Sequence, residues 1–304
     1  MGSGGWSPSD WQDHSATVKT QTVQQTFKSS SLDPYLDPKN IKGGVRESRD
    51  SDDHPKSFPI ILDFDVTGSM GMLAHEIASN ALGKVMEEIY NRKPVPDPQI
   101  MFMANGDVKC DRYPLQVSQF ESSNVLVAQL EKIYLEGGGG GNGGESYDLP
   151  WYFAAKHTVT DSMEKRDVKG FLFTIGDECP GHGLTAEDIA EFIGDFVEVN
   201  YRTQDLLRMA EQQYEVFHII LDLEDHACDS SAIASWKELL GERALVLDNL
   251  DKLGEVIVST IQVMCGEDKD TVLNSWDGTT NLTVAKALGG LSVASGGKDN
   301  LVRF

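Results

Sequence analysis

Short apolar runs alternate along the chain with longer segments in which apolar residues recur at helical spacing. The apolar runs are 58–62, 100–103, 170–175, 216–221 and 244–247. Runs of this length without polar alternation are typical of strands buried on both faces, so each predicts a strand of a parallel sheet. The intervening segments 70–90, 125–134 and 151–163 predict helices. This alternation predicts an α/β fold with a doubly wound, mostly parallel central sheet and helices on both of its faces.

Two segments flank this pattern. Residues 1–57 are rich in Ser, Thr, Gln and Asp and have only scattered aromatic residues such as Trp6, Trp11 and Phe27. They predict an N-terminal arm that is partly disordered or packed on the core through those aromatic anchors. Residues 266–304 contain one short helical pattern and a Gly-rich end, which predicts a C-terminal extension. The main domain is therefore expected to span residues 58–265, a length that can bury a proper core.

Acidic residues outnumber Lys and Arg by 48 to 26, which gives the chain a formal net charge of −22. A chain of this charge is repelled by phosphate backbones, and non-specific binding to nucleic acid depends on Lys and Arg. We therefore expect no nucleic-acid partner. Cations and basic protein surfaces are the partners that this charge favours.

The spacing of the cysteines and the length of the apolar runs indicate the cellular compartment of the protein. The four cysteines at positions 110, 179, 228 and 265 lie far apart and form no C-x-x-C pair, so they indicate neither a zinc site nor a compact disulfide framework. No apolar run reaches membrane-spanning length, and the first residues lack the basic and apolar regions of a signal peptide. We expect a cytoplasmic protein with reduced thiols and no membrane partner.

In open α/β sheets, ligands bind at the carboxyl ends of the strands, so the polar residues after each strand are the candidate site. The first strand is followed by Asp65, Thr67 and Ser69, where a carboxylate and two hydroxyls alternate at the start of a helix. Such oxygen donors suit Mg²⁺, Mn²⁺ or Ca²⁺. The alternative is purely structural, with a hydroxyl capping the helix and Asp65 interacting with its dipole.

Two further segments are candidates by position. Asp177 follows the strand at 170–175, although an acidic residue there can also be a simple turn former. The loop 137–144 is glycine at every position except Asn142 and is followed by Glu145 and Ser146. Glycine allows close backbone approach to a ligand, whereas the competing interpretation is a flexible linker. If the loop forms a wall of the site, Asn142 or Ser146 would contribute an oxygen directly or through water.

These residues together resemble a known family. The pattern Asp65-x-Thr67-x-Ser69 resembles the D-x-S-x-S or D-x-T-x-S signature of the metal-ion-dependent adhesion site of von Willebrand factor A (vWA) domains. Asp177 resembles the later strand-end aspartate of that family, and 141–146 resembles the G-D-x-P-E loop of bacterial and alpha-kinase-associated members. Residues 105–107, Asn-Gly-Asp, are similar to their Y-R-D segment. The resemblance covers roughly residues 58–265 and is to the bacterial or phage type.

The resemblance implies a vWA/Rossmann-like fold and a metal site. Its ligands would be Asp65, Thr67, Ser69 and Asp177, with Asn142 near the place where many members have a loop threonine. One coordination position stays open for a carboxylate of a protein partner, and Mg²⁺ is the first expectation for the cation. The family further implies a non-enzymatic interaction module, with a MoxR-type AAA+ ATPase as the first partner expected by analogy.

Asp63 supports an alternative of a different class. The pattern Asp63-x-Asp65-x-Thr67 after an apolar strand also resembles the D-x-D-x-[TV] signature of haloacid dehalogenase-like phosphatases. Asp63 would then be a phosphoryl-accepting nucleophile and Asp65 an acid/base beside a magnesium ion. That interpretation gives no role to Ser69 or to the glycine loop, and the second acid of the family's late motif would fall at Gly181. The sequence therefore favours the binding module over the enzyme.

Overall fold

The computed structural model describes residues 5–18, 20–66, 76, 81–135, 145–225 and 227–292. The strands are β1 (Arg46–Ser48), β2 (Phe58–Asp65), β3 (Pro98–Asn105), β4 (Leu115–Val117), β5 (Thr158–Thr160), β6 (Gly170–Gly176), β7 (Tyr214–Leu221) and β8 (Ala244–Leu247). The α-helices are α1 (Pro8–Val18), α2 (Val23–Thr26), α3 (Leu82–Arg92), α4 (Val125–Leu130), α5 (Asp148–Lys156), α6 (Asp161–Arg166), α7 (Ala186–Phe192), α8 (Thr203–Ala210), α9 (Ser230–Leu240), α10 (Leu253–Met264), α11 (Lys269–Asn274) and α12 (Gly278–Ala287).

The central sheet has six strands in the order β4-β3-β2-β6-β7-β8. All neighbours are parallel except β4, which runs antiparallel beside β3 at the edge. The chain leaves β2 toward β3 on one side and later returns to β6 on the other side. The order of the strands thus reverses at β2, so the carboxyl ends of β2, β3 and β6 meet at the point where ligands bind in such sheets.

Each face of the sheet is covered by helices. Residues such as Leu62 and Phe173 point to the face packed against α3 and α10. Their neighbours in the strands, such as Ile61 and Leu172, point to the face packed against α5, α8 and α9. Both faces of the strands are therefore buried from solvent, which explains why polar and apolar residues do not alternate in their sequences. This arrangement confirms the predicted α/β class with a mostly parallel sheet.

One predicted helix was wrong. The segment 151–163 is not continuous, because α5 ends at Lys156 and residues 158–160 form β5 before α6 begins. This short strand pairs in parallel with β1 of the N-terminal arm. Thr158, Val159 and Thr160 are β-branched, which favours extended backbone, and the partner strand lies more than 100 residues earlier in the chain. The predicted helix 125–134 also ends early, at Leu130.

The N-terminal arm packs closely on the sheet domain over its described part. Trp11 is buried against α3, where a Cβ on Gly83 would lie 1.8 Å from the indole nitrogen. The buried guanidinium of Arg46 donates to the carbonyl oxygen of Val117 at 2.9 Å. At the other terminus, α12 and the buried residue Leu288 add to the core beside α10. No helix in the described ranges is long and apolar enough to span a membrane.

Candidate functional site

The candidate site is the carboxyl edge of the sheet around β2, where acidic residues of three neighbouring strands and one helix converge. Asp63 and Asp65 close β2, Asp107 follows β3, and Asp177 follows β6. Glu145 lies just before α5, whose first residues are at the same edge. Four of these five carboxylates are at least 97% buried, and only Asp177 is partly exposed. A buried carboxylate is costly unless a proton, a donor or a cation compensates its charge.

Asp63 and Asp65 lie two residues apart on one strand and therefore point to the same face of the sheet, as their spacing predicts. Both are fully buried. Asn105 of β3 donates its side-chain amide to Asp63 Oδ2 at 2.8 Å. The other oxygen of Asp63 accepts no hydrogen bond within the described part of the chain. Burial, followed by the negative charge of Asp65, raises the pKa of Asp63 well above its usual value, so this carboxyl favours its protonated form.

Tyr147 connects the end of β2 to the end of β6. Its hydroxyl donates to Asp65 Oδ2 at 3.3 Å, and its ring is fully buried against Trp236. The hydroxyl lies directly over Gly176, where a Cβ would be 1.9 Å from the oxygen and 3.2 Å from the Cβ of Asp65. The last position of β6 therefore requires glycine. This explains why the aspartate at this strand end follows Ile-Gly in the chain.

Glu145 is a buried carboxyl whose pKa is raised by the negative charges around it. Its side chain is 3% exposed, and its buried Oε2 accepts no hydrogen bond from any described residue. Burial raises its pKa to about 9, followed in order by the negative charges of four carboxylates: Asp65, Asp107, Asp111 and Glu178. Glu145 is thus protonated at neutral pH. The raised pKa of Glu145 shows that several carboxylates lie near one another, and a bound cation would reduce the repulsion between them.

A tight turn after β3 holds Asp107 in position. The backbone N–H of Asp107 donates to Asp111 Oδ2 at 2.7 Å, and Asp107 Oδ1 accepts from the backbone N–H of Lys109 at 3.0 Å. Ser146 joins this turn, because its hydroxyl accepts from Val108 N at 3.1 Å and lies 3.4 Å from Asp107 Oδ1. Among the acidic residues of the site, Ser146 therefore contacts Asp107.

The loop after β6 is anchored by side chains from two helices and from the loop before α9. Trp236 of α9 donates its indole N–H to the carbonyl oxygen of Glu178 at 2.8 Å. The thiol of Cys228 donates to the carbonyl oxygen of Asp177 at 2.9 Å. Asp148, the first residue of α5, accepts from the backbone N–H of Gly183 at 2.7 Å. The backbone at Asp177 and Glu178 is thereby held at the edge of the sheet.

His218 lies in the dry layer below the site. It is fully buried in β7, its ring stacks on Trp236 with centroids 3.5 Å apart, and its Nδ1 shares a 2.8 Å hydrogen bond with the hydroxyl of Thr174. Burial lowers its pKa well below the usual value, so it is neutral. This is a packing role in the core, since no acidic side chain is bonded to the ring in the described region.

The structure brings together part of the predicted ligand set. Asp65 and Asp177 lie at the ends of the adjacent strands β2 and β6. Thr67, Ser69 and Asn142 lie outside the described residues. Within the described ranges, Asp, Glu, His and Cys side chains do not form groups of three at metal-binding spacing. The carboxylates described above are close enough for their charges to raise the pKa of Glu145, but in the described part of the chain they do not by themselves form such a group of three.

Sequence reasoning missed two members of the site. Tyr147 was not singled out because a tyrosine one turn before an apolar helix resembles an ordinary core residue. Asp111 was not singled out because its role is to accept from the backbone of Asp107, a contact that depends on a turn. One signal in the sequence was the run Glu145-Ser146-Tyr147-Asp148 directly after the glycine loop. The structure buries all four of these residues.

Comparison with known proteins gives distant similarities. No family model matches the chain. RNA polymerase sigma-54 factor 1 of Bradyrhizobium diazoefficiens is 23% identical in an alignment 197 residues long that covers 57% of this chain and 39% of that protein. The chain thus spans about two fifths of the length of this curated relative.

Solved structures with a similar arrangement include two pilus proteins. The pilus adhesin SpaC of Lactobacillus rhamnosus GG, in its open conformation, aligns with a TM-score of 0.47 at 11% identity, over 72% of this chain and 30% of SpaC. The vWF domain of the type V pili tip protein Mfa5 of Porphyromonas gingivalis aligns with a TM-score of 0.44 at 12% identity, over 67% of this chain and 95% of that domain. Similarity at this level does not transfer a function to this chain.

Proposed function

We propose that this protein is a vWA-type interaction module that binds a protein partner through a divalent cation at the carboxyl edge of its sheet. The observation that supports this most is the state of Glu145, whose pKa is raised to about 9 by burial and by four surrounding carboxylates. Such an accumulation of buried carboxylates destabilises the fold unless a counter-charge compensates it, and groups perturbed in this way cluster at functional sites. Binding a cation is the simplest such function.

The chemistry of the side chains fits a hard divalent ion. The described donors at this edge are carboxylate oxygens, which suit Mg²⁺, Mn²⁺ and Ca²⁺ rather than softer metals. Two buried oxygens, Glu145 Oε2 and Asp63 Oδ1, have no hydrogen-bond donor among the described residues. In the proposal, Asp65 and Asp177 supply charge from β2 and β6, while Thr67, Ser69 and Asn142 supply neutral oxygens. Mg²⁺ is the first choice of cation.

The remaining residues orient this set. Tyr147 donates to Asp65 Oδ2 and so fixes the orientation of that carboxylate. Asn105 does the same for Asp63, and the bonds of Trp236 and Cys228 to the backbone after β6 keep Asp177 at the edge. A bound cation would supply an electrophilic position that a carboxylate of the partner completes. The partner we propose first, by family analogy, is a MoxR-type AAA+ ATPase.

The phosphatase alternative gains no support from Asp63. A nucleophilic aspartate must be ionised and must reach the phosphorus atom of its substrate. Asp63 is fully buried, bonded to Asn105, and has a pKa raised well above its usual value. These properties are those of a carboxyl enclosed within the sheet rather than one presented to a substrate. A binding module remains the better account.

Titration calorimetry with MgCl₂ on the full chain tests the metal site. We expect binding by the wild type, no measurable binding by Asp65→Asn, and unchanged binding by Asp270→Ala, which removes an exposed carboxylate of α11. Asp65→Asn keeps the shape of the side chain and its contact with Tyr147, so circular dichroism should report a folded variant. Wild-type affinity in a folded Asp65→Asn protein would contradict the proposal.

The partner is tested by capture with and without a chelator. The protein immobilised in MgCl₂ should retain a partner that EDTA releases and that immobilised Asp65→Asn does not retain. A partner retained equally under all three conditions would show that binding does not pass through the cation.

A further inference from the structure

A second surface with the properties of a docking point lies in the loop between α7 and α8. Phe196 is 96% exposed and Val199 is 55% exposed. Five large apolar side chains are exposed in the described parts of the chain, and these two lie within four residues of each other. Full burial of a phenylalanine side chain is worth about 1.5–3 kcal/mol, so an exposed phenylalanine beside an exposed valine in one loop is a candidate contact point for a partner.

The loop that carries Phe196 is held by contacts on both sides of it. Immediately before it, the Asp195 carboxylate accepts from the Tyr152 hydroxyl at 2.7 Å and pairs with His157 Nε2 at 2.8 Å. Immediately after it, Val197 packs into the core beside α5. Asn200 then accepts from the backbone N–H of Ala186 at 2.9 Å. Phe196 is therefore presented outward by a fixed backbone, and a partner would pay little ordering entropy to bind it.

This surface is separate from the acidic edge of the sheet. Helix α5 begins at Asp148, which bonds Gly183 in the loop beside the edge, and is followed at its other end by His157, which bonds Asp195. The nine residues of α5 span about 14 Å at 1.5 Å per residue. Phe196 thus lies at the opposite end of this helix from the candidate metal site. The two surfaces would contact different parts of a partner or different partners.

Charge identifies the kind of partner that fits. The segment 170–201 contains seven acidic residues and no Lys or Arg. Three of these acids, Glu191, Asp195 and Glu198, lie within five residues of Phe196. Lys39 reaches this loop, where its ammonium donates to the carbonyl oxygen of Glu191 at 2.9 Å. An aromatic tip among carboxylates matches an apolar pocket rimmed by Lys or Arg. A second copy of this chain, with its net charge of −22, would instead be repelled by this acidic surface.

We propose that Phe196 and Val199 form the anchor of a docking surface for a basic protein with an apolar pocket, independent of the cation site. Phe196 fills the pocket, Val199 covers its margin, and the neighbouring carboxylates pair with the basic rim. An aromatic anchor surrounded by polar contacts is the usual composition of an interface hot spot.

Photo-crosslinking of the full chain identifies what touches this surface. p-Benzoylphenylalanine is incorporated in place of Phe196 in one sample and in place of Leu282, another exposed apolar residue, in the control. The protein is expressed in its own cells and irradiated, and adducts are identified by mass spectrometry. We expect an adduct with a protein of net positive charge at position 196 and not at position 282.

The identified protein is then purified and its affinity measured by calorimetry. Phe196→Ser should weaken binding at least about tenfold, whereas Leu282→Ser should leave it unchanged. Raising the salt to about 1 M, where the Debye length is about 3 Å, should also weaken binding. Asp65→Asn and EDTA should have no effect, which separates this surface from the proposed cation site.

Three outcomes would overturn the inference. One is the lack of any adduct at position 196, or the same adducts at positions 196 and 282. Another is an adduct formed with a second copy of this chain or with an acidic protein. The third is an affinity that Phe196→Ser leaves unchanged. Because Phe196 makes almost no contact with the rest of the chain, the variant keeps its fold and each outcome is interpretable.

Discussion

Replacing Glu145 with glutamine should stabilise the protein, because glutamine has nearly the shape of the protonated glutamic acid and cannot ionise. The pKa of Glu145 is raised from 4.5 to about 9 by burial and then by the charges of nearby carboxylates such as Asp65 and Asp107. Between these two values the native state holds a proton that the unfolded state has released. The stability of the wild type therefore falls as pH rises through this window.

The magnitude follows from the width of that window. From 4.5 to neutral pH is about two and a half units, and each unit corresponds to about 1.4 kcal/mol, so the wild type loses at most about 3 kcal/mol by pH 7. Glu145→Gln carries no such loss. The two proteins should be equally stable near pH 4.5, should differ by about 1–3 kcal/mol at pH 7, and should differ most near pH 9.

Urea denaturation of both proteins across this pH range, followed by circular dichroism, measures the difference. Glu238→Gln removes an equivalent charge from the exposed surface of α9 and should follow the wild type. If a divalent cation binds at this edge, saturating MgCl₂ should stabilise the wild type and narrow its gap to Glu145→Gln, because the cation offsets the same repulsion. A gap that stays below about 0.5 kcal/mol at pH 7 and does not change with pH would refute this account of Glu145.

Two further expectations concern the neighbours of Asp65. Gly176→Ala should destabilise the protein by about 1–3 kcal/mol in urea denaturation, because the added Cβ would lie 1.9 Å from the Tyr147 hydroxyl. Tyr147→Phe in the same background should recover part of that loss, and a Gly176→Ala protein as stable as the wild type would contradict the close approach. With p-nitrophenyl phosphate and MgCl₂, neither the wild type nor Asp63→Asn should show turnover above the blank. Wild-type turnover that disappears in Asp63→Asn would favour the phosphatase.

The strands and the acidic residues that follow them were predictable, because each depends on the residue types within one short segment. A strand buried on both faces must be apolar at each position, so 58–62, 170–175 and 216–221 indicate strands without knowledge of their neighbours. The structure mainly lengthens them, for example to Asp65 in β2. The carboxyl ends of parallel strands meet at one edge, so acids placed after two such runs were expected to lie near each other.

Short pairings between distant segments were not predictable. Strand β5 has three residues and exists because β1, from the N-terminal arm, lies beside it. Three β-branched residues between two helical patterns do not outweigh the helical pattern around them. The exposure of Phe196 was not predictable for a similar reason. Phe196 lies in a segment whose residue types do not distinguish an exposed phenylalanine from a buried one.

The sequence by itself determined the class of sheet, the strands that end in acids, and the excess of negative charge, because each depends on residue type and spacing along one segment. Only the tertiary structure decided how that charge is distributed. It buries Glu145 among carboxylates from other segments, sets the Tyr147 hydroxyl over Gly176, and holds Phe196 in solvent at the far end of α5. The physical reason is that pKa shifts, close approaches and exposure are set by neighbours in space, and these neighbours are brought together only by packing.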